Sequence, residues 1–242
     1  MKVELLTSYN SIKDMENFAA LAALTCHDNT EKDFVPAEVL KRILSYKHES
    51  ILEHITLTYS VKGISRALLQ ELARHRHISL SVESTRHTLK KKLRDIETAA
   101  ILVENVDSIL PMRTILNFSD LFRMFGIKKE NKDDDIVGDY ATFVLAAIEH
   151  MLKQSKRLLP DGSCTKDGAT DNDDLKYYLP EFWPTNLILT VNIRELRHIL
   201  NLRTTPQALK EFRSLARELF YAVPDEFKYL LQDCVHEEVE NA

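Results

Sequence analysis

Two hydrophobic periods run along this chain, and the places where one gives way to the other mark its elements. Residues 2–6 form a short strand. From Ile12 to about Leu24 the spacing of Met15, Phe18, Leu21 and Ala22 is helical. Pro36 stands at the first turn of a second helix, where its fixed φ and missing N–H do no harm. Val39, Leu40, Ile43 and Leu44 share one face of that helix. Residues 51–61 alternate instead. Ile51, Ile55, Leu57, Tyr59 and Val61 lie on one side, with His54, Thr56, Thr58 and Ser60 on the other, as in a half-buried strand that Gly63 ends.

Ser65 and its neighbours open a third helix, with Ile64, Ala67, Leu68, Glu71, Leu72 and His75 at helical spacing. Residues 77–88 are polar and rich in hydroxyls, and they read as a loop with short extended pieces. The pattern predicts a helix over 112–125, a charged loop over 126–135, and a long helix over 139–158 that ends at Pro160. Two glycines fall in 160–174, which predicts a mobile loop. Residues 186–192 predict a strand and 193–202 a helix. Pro206 starts a helix reaching Ala222, and Pro224 opens a last one. The chain shows no internal repeat and no linker. The pattern predicts one α+β domain over 1–242, helix-rich with a small sheet.

Composition narrows the chemistry. Hydrophobic content of 44% supports a core, and the net charge of -5 argues against a broad grip on nucleic acid. The three cysteines, Cys26, Cys164 and Cys234, are far apart and form no C-x-x-C, which fits a reducing cytoplasm. Neither a signal peptide nor a membrane span is expected. The five glycines stand against about 17 for an average chain of this length. None are spaced for a Gly-rich phosphate loop, so phosphates would have to be held by side chains.

Arginine is the side chain suited to that task, since its planar fork grips phosphate bidentately. The densest polar cluster runs from Arg74-His75-Arg76 through Ser79, Ser81, Ser84 and Thr85 to Arg86. A solvated basic helix end explains Arg74 and Arg76 by the helix dipole, but not the hydroxyl run that ends in Arg86. A second cluster holds Asn192, Arg194, Arg197 and His198, then Asn201 and Arg203. On a helix, Arg194, His198 and Asn201 share a face, which by itself reads as ordinary surface charge. The histidines lack metal-ligand spacing, so no metal is expected. Cys26-His27 and Cys164 make poor nucleophile candidates.

The first cluster has the pattern R-H-R-x₂-S-x₄-S-x-R and resembles the signature of the flavin-dependent thymidylate synthases. Other segments agree in order. His48-Glu49-Ser50 with Glu53-His54 resembles the family's H-E-[ST]-x₂-E-H. Leu179-Pro180, Asn192-Ile193-Arg194 and Asn201-Leu202-Arg203 resemble its L-P, N-x-R and N-L-R segments. The resemblance covers about residues 20–235. It implies an α+β fold, a homotetramer with active sites at subunit interfaces, and methylation of dUMP to dTMP. Methylenetetrahydrofolate would give the carbon, FAD would carry the hydride, and NADPH would reduce the flavin.

The resemblance also implies a role for individual residues. Ser50, Arg74, His75, Arg76, Val82, Asn192, Arg194 and His198 bind FAD. Glu71, Arg74, Ser84, Thr85, Arg86, Lys176 and Arg203 bind dUMP, with Arg203 catalytic through stabilising negative charge as uracil N3 loses its proton. His48 and His87 lie beside the flavin and folate. Ser81-Val82, Thr85, His87, Lys176 and His198 replace residues common in the family, Asn-Glu, Gly, Tyr, Arg and Asn respectively. Two other readings stand beside this one. The first is a nucleotide- or RNA-binding module that uses the basic cluster. The second is an FAD-binding NADPH oxidase of the same fold that does not methylate.

Overall fold

The computed structural model describes residues 1–29, 33–89, 91, 176–179, 181 and 183–236. The chain divides into two compact units, Met1–Val82 with Thr185–Ala242, and Glu83–Pro184. The expected helices at 112–125 and 139–158 and the loops at 126–135 and 160–174 lie outside the described residues.

In the first unit, β1 (Lys2–Leu5) is followed by α1 (Tyr9–Thr25) and α2 (Pro36–Ser45). Ser8 caps α1 by accepting the Ser11 N–H at 3.2 Å, which starts the helix ahead of the apolar pattern. Glu49–His54 is a 3-10 segment, and β2 spans Thr56–Ser65. The alternation from Ile51 onward therefore overstates the strand. Leu52 and Ile55 are buried, but a short helical turn satisfies that periodicity as well. Gly63 does not end β2 either. It sits within the strand at φ +72°, a left-handed conformation that glycine adopts without strain, and its N–H donates to Asn186 Oδ1 at 3.0 Å.

Helix α3 (Arg66–Ala73) is capped by Ser65, whose Oγ accepts from the Leu68 N–H at 3.0 Å. Glu211 accepts from both the N–H and the hydroxyl of Ser65, fixing where the helix begins. The expected loop at 77–88 is in part a true strand, β3 (Ile78–Val82), paired antiparallel with β4 (Pro184–Asn192). Its Ile-Ser-Leu-Ser-Val sequence does alternate. The polar half faces out, which made the segment look like a loop. Helix α4 (Ile193–Arg203) follows at once, then α5 (Lys210–Tyr221), which starts four residues after the proline expected to open it. The last expected helix is a 3-10 segment, Asp225–Leu230, followed by another at Gln232–Cys234.

The sheet order is β1-β2-β4-β3. β1 pairs antiparallel with β2, Val3 opposite Val61. Ile193 N to Ile55 O, Thr58 to Thr190 and Gly63 to Asn186 show that β2 and β4 also run in opposite directions. The unit is α+β with a small antiparallel sheet, as the pattern predicts. Leu57, Tyr59 and Val61 of β2 and Leu187, Leu189 and Val191 of β4 are buried in a single core with α1, α3, α4 and α5. The 3-10 segment 49–54 packs against both α1 and α4. In the second unit, residues 85–89 are helical, Lys176–Tyr178 is a 3-10 turn, and Leu89 and Trp183 are buried. Among the described residues no helix is long and apolar enough to cross a membrane.

Among the described residues one buried side-chain group has no hydrogen-bond partner. The Tyr59 hydroxyl makes no hydrogen bond among the described residues, and burial pushes its phenol well above the usual range. An unmet buried hydroxyl is destabilising, whereas a ring of the same shape without it is not. Tyr59→Phe is expected to leave stability unchanged or raise it by up to about 1 kcal/mol, roughly 2–4 °C in Tm for a chain of this size. A fall in Tm of that size in a thermal melt would reveal a partner for the hydroxyl.

Candidate active site

The first unit brings the ends of α3 and α4 together. Asn192 caps α4 by accepting the Glu195 N–H at 2.8 Å, and the Ile193 N–H donates to Ile55 O at 2.8 Å. These bonds seat the first turn of α4 against the end of the 49–54 segment. Glu195 and Arg203 lie about two helical turns apart on α4, roughly 80° from each other around its axis, so both can reach a group set between them.

His75, in the connection between α3 and β3, bridges them. Its Nδ1 lies 3.1 Å from Glu195 Oε1, and its Nε2 accepts from Arg203 Nε at 3.2 Å. His75 is 7% exposed and Glu195 8%. Burial is the main cause that pulls the His75 pKa down, and the nearby Arg203 and His198 act in the same sense against the pull of Glu195. An arginine N–H can only donate, so Nε2 must carry a lone pair and the ring proton sits on Nδ1. His75 is thus neutral, with its Nδ1–H donating to the Glu195 carboxylate.

The Arg203 guanidinium is held on two further sides. Its Nη1 lies 3.4 Å from Glu71 Oε2, and its carbon sits 4.6 Å from the centroid of the Phe212 ring. The His75 ring meets the Phe212 ring edge-on, centroids 5.7 Å apart, and the His198 ring edge-on, centroids 5.8 Å apart. Glu71 also reaches Arg74 Nη1 at 3.5 Å. The carboxylates of Glu71 and Glu195 therefore balance a local concentration of cations.

His75, Glu195 and His198 have ligand atoms within 4.8 Å of one another, a spacing that a metal ion could use. Both His75 nitrogens are already engaged, however, and a guanidinium lies against the ring. His75 and Glu195 form a hydrogen-bonded cluster with that cation, and the His198 ring packs beside His75.

The other expected site residues are distributed as follows. Arg74 caps the end of α3 with its side chain 74% exposed, and Arg76 is exposed just beyond. Arg194 pairs with Glu53, tying α4 to the segment that carries the exposed Ser50 and follows the exposed His48. Val82 is the exposed last residue of β3, opposite Leu187. Ser84, Thr85, Arg86, His87 and Lys176 belong to the second unit. Ser84 O accepts from the N–H groups of His87 and Thr88, both at 3.2 Å, and Thr85 lies in the helical turn so formed. Among the described residues, positive φ outside glycine occurs only at Asp28 and Lys47, so position 85 makes no demand for glycine.

The sequence reading missed Glu195 and Phe212. The Asn-x-x-Glu spacing at Asn192 and Glu195 marks a helix start, but nothing local signals that this carboxylate meets His75. It placed Arg197 in a cluster of surface charge, whereas Arg197 is buried at 5% exposure. Arg197 grips Asp233 with two bonds at 2.6 and 2.7 Å, Glu49 at 3.1 Å and the Leu230 carbonyl at 2.7 Å. That knot joins α4 to the 49–54 segment and to the chain after α5. Next to it, burial pushes the Cys234 thiol up to about 11, so it is protonated at neutral pH and unsuited to nucleophilic attack.

Comparison with known proteins fits this geometry. The family model described as thymidylate synthase complementing protein matches residues 5–227. The flavin-dependent thymidylate synthase of Campylobacter jejuni is 34% identical over 224 residues, covering 90% of this chain and 92% of that protein. One from Helicobacter pylori is 35% identical over 191 residues, covering 78% and 77%. A crystal structure of thymidylate synthase X from Helicobacter pylori with FAD and dUMP superposes with a TM-score of 0.71. That pair is 30% identical and the match covers 98% of this chain and 100% of the other. The chain belongs to the flavin-dependent thymidylate synthase family.

In this flavin-dependent thymidylate synthase, both polar clusters fall inside the matched region, and the α+β fold is that of the solved relative. The Arg197 knot gives a direct test of how the site is braced. Hydrogen bonding to Arg197 holds the Asp233 carboxyl below its usual range. A depressed folded pKa contributes stability above the unfolded value, about 3.9, and loses it as pH falls through the folded value. Asp233→Asn is expected to cost about 1–2 kcal/mol at neutral pH, kept modest because the Asp233 side chain is 58% exposed. Thermal melts should show the difference from the parent closing below about pH 4. A difference that stays constant across pH would exclude this ion pair as its source.

Proposed function

We propose that the protein methylates dUMP to dTMP with methylenetetrahydrofolate as carbon donor, FAD as hydride carrier and NADPH as reductant. In this reading it works as a cytoplasmic homotetramer with active sites at subunit interfaces. The observation that carries the reading is the fixed Arg203 guanidinium, held by His75, Glu71 and Phe212 at the end of α4. The family match from 5 to 227 spans both compact units, which supports one functional domain.

The donor set suits FAD. With five glycines the chain has no Gly-rich cradle, and it offers solvent-facing cations instead, Arg74, Arg76 and Arg194. Ser50, His198 and the Val82 backbone complete the set. Asn192 and His75 belong to it through the positions they hold, since the Asn192 side chain caps α4 and both His75 nitrogens are taken. FAD, when bound, supplies the hydride chemistry.

The chain's own part is to bind, orient and polarise. Arg74 and Glu71 meet the nucleotide, and Ser84, Thr85, Arg86 and Lys176 take its phosphate. Arg203 faces the uracil and stabilises the charge that develops when N3 loses its proton, a preorganised cation at the place where charge appears. His48 and His87 border the flavin and the folate.

The purified protein should bind FAD and turn yellow, and dUMP should perturb the flavin spectrum. With methylenetetrahydrofolate and NADPH, it should release hydrogen from C5 of dUMP. NADPH oxidation without that release would favour the oxidase reading. Arg203→Ala is expected to lower kcat by roughly 10²–10³-fold or more with the melting temperature unchanged. Wild-type turnover in that variant would remove Arg203 from the mechanism.

A further inference from the structure

We infer that Glu195 is a positioning residue that orients Arg203 through His75, so that the guanidinium meets the nucleotide in one fixed pose. The inference rests on the uridylate reading of Arg203 for its effect on turnover, but the geometry behind it is independent of that reading.

The hydrogen bonds between these three residues have a single consistent direction. Arg203 Nε–H donates to His75 Nε2 at 3.2 Å, so the one proton of the neutral ring is on Nδ1 and points to Glu195 Oε1 at 3.1 Å. The other tautomer would set an Nε2–H against the Nε–H of Arg203 and break the bond. A buried carboxylate acceptor at position 195 selects the first tautomer, as a carboxylate does when it orients a catalytic histidine. Removing the carboxylate frees the ring to change tautomer and turn away.

The effect on Arg203 is specific. Its Nε is held by His75, its Nη1 by Glu71 and its face by Phe212. Nη2 carries no hydrogen bond among the described residues. The cluster therefore holds every edge of the guanidinium except one, and that edge is left for a ligand. An arginine otherwise samples many rotamers, and misplacement of a group by about 1 Å can reduce turnover by about 10²-fold. Among the described residues Glu195 makes no hydrogen bond to Arg203 or to any residue assigned above to the phosphate, so its route to Arg203 runs through His75.

The experiment compares Glu195→Leu, His75→Asn and His75→Gln with the parent. Glutamine at 75 can still present an acceptor to Arg203 while its NH₂ faces Glu195. Asparagine is too short to reach Arg203. Glu195→Leu and His75→Asn are expected to lower kcat by roughly 10–100-fold with KM for dUMP changed far less. His75→Gln should recover most of that loss. Melting temperature reports on whether each variant folds, and FAD content on whether its flavin site is intact. A second measurement needs no turnover. With selective ¹⁵N labelling of histidine and arginine, the parent should show His75 protonated at Nδ1 only and a slowly exchanging Arg203 Nε–H. That Nε–H signal should disappear in Glu195→Leu and His75→Asn and return in His75→Gln. Protonation at Nε2 in the parent, or a wild-type kcat in Glu195→Leu, or no recovery in His75→Gln relative to His75→Asn, would overturn the inference. A parent with the expected NMR signature but no dUMP turnover would refute the uridylate reading and leave the positioning geometry standing.

Discussion

A carboxylate buried in an apolar core has to be met by a hydrogen-bond donor, and at Glu195 that donor is His75. Desolvation makes the alternatives expensive, since an unmet buried charge would be destabilising by several kcal/mol. The consequences follow in sequence. The carboxylate takes the Nδ1 proton, the neutral ring turns its lone pair outward, and that lone pair takes the Nε–H of Arg203. Phe212 lies against both His75 and Arg203, so apolar packing and hydrogen bonding constrain the same two side chains. The site is built from α4 and from the turn after α3, and it depends on both being seated in the core.

Helix α4 serves two roles on opposite sides. One side carries Glu195 and Arg203 toward His75. Another buries Arg197 in a knot with Asp233, Glu49 and the Leu230 carbonyl. The knot has more than a local effect, because Glu49 belongs to the same 3-10 segment as Ser50 and Glu53, and Glu53 pairs with Arg194 of α4. That segment, packed between α1 and α4, is thereby tied to the helix that carries Arg203. The capped starts of α3 and α4, at Ser65 and Asn192, set the register in which these side chains emerge.

Much of this was legible in the sequence. Alternation marked β2 because it faces the core on one side, residues 186–192 were read as the strand that is β4, and helical spacing with Pro36 marked α2. The motif from Arg74 to Arg86 and the Asn192–Arg203 stretch named most of the polar side chains that the first unit brings together. The errors have physical causes. Ile51 and Leu52 pack in a 3-10 turn, since short apolar runs do not distinguish a turn from a strand. Ile-Ser-Leu-Ser-Val passed for a loop because its exposed half is serine. Arg197 read as surface charge because nothing near it in sequence announces Asp233 or Glu49.

The sequence by itself determined which chemistry was open to this protein. Scarce glycine removes the backbone route to phosphate, so arginine side chains remain, and the order of motifs identifies the family to which they belong. Hydrophobic periodicity determined the helices and most of the sheet, because burial of one face is a local property of spacing. Only the tertiary structure decided which of those polar side chains act together. The bonds from His75 to Glu195 and Arg203, and from Arg197 to Asp233, join residues distant in the chain. The pair of His75 and Glu195 gains strength from a core that excludes water, and that core exists only once the chain has folded.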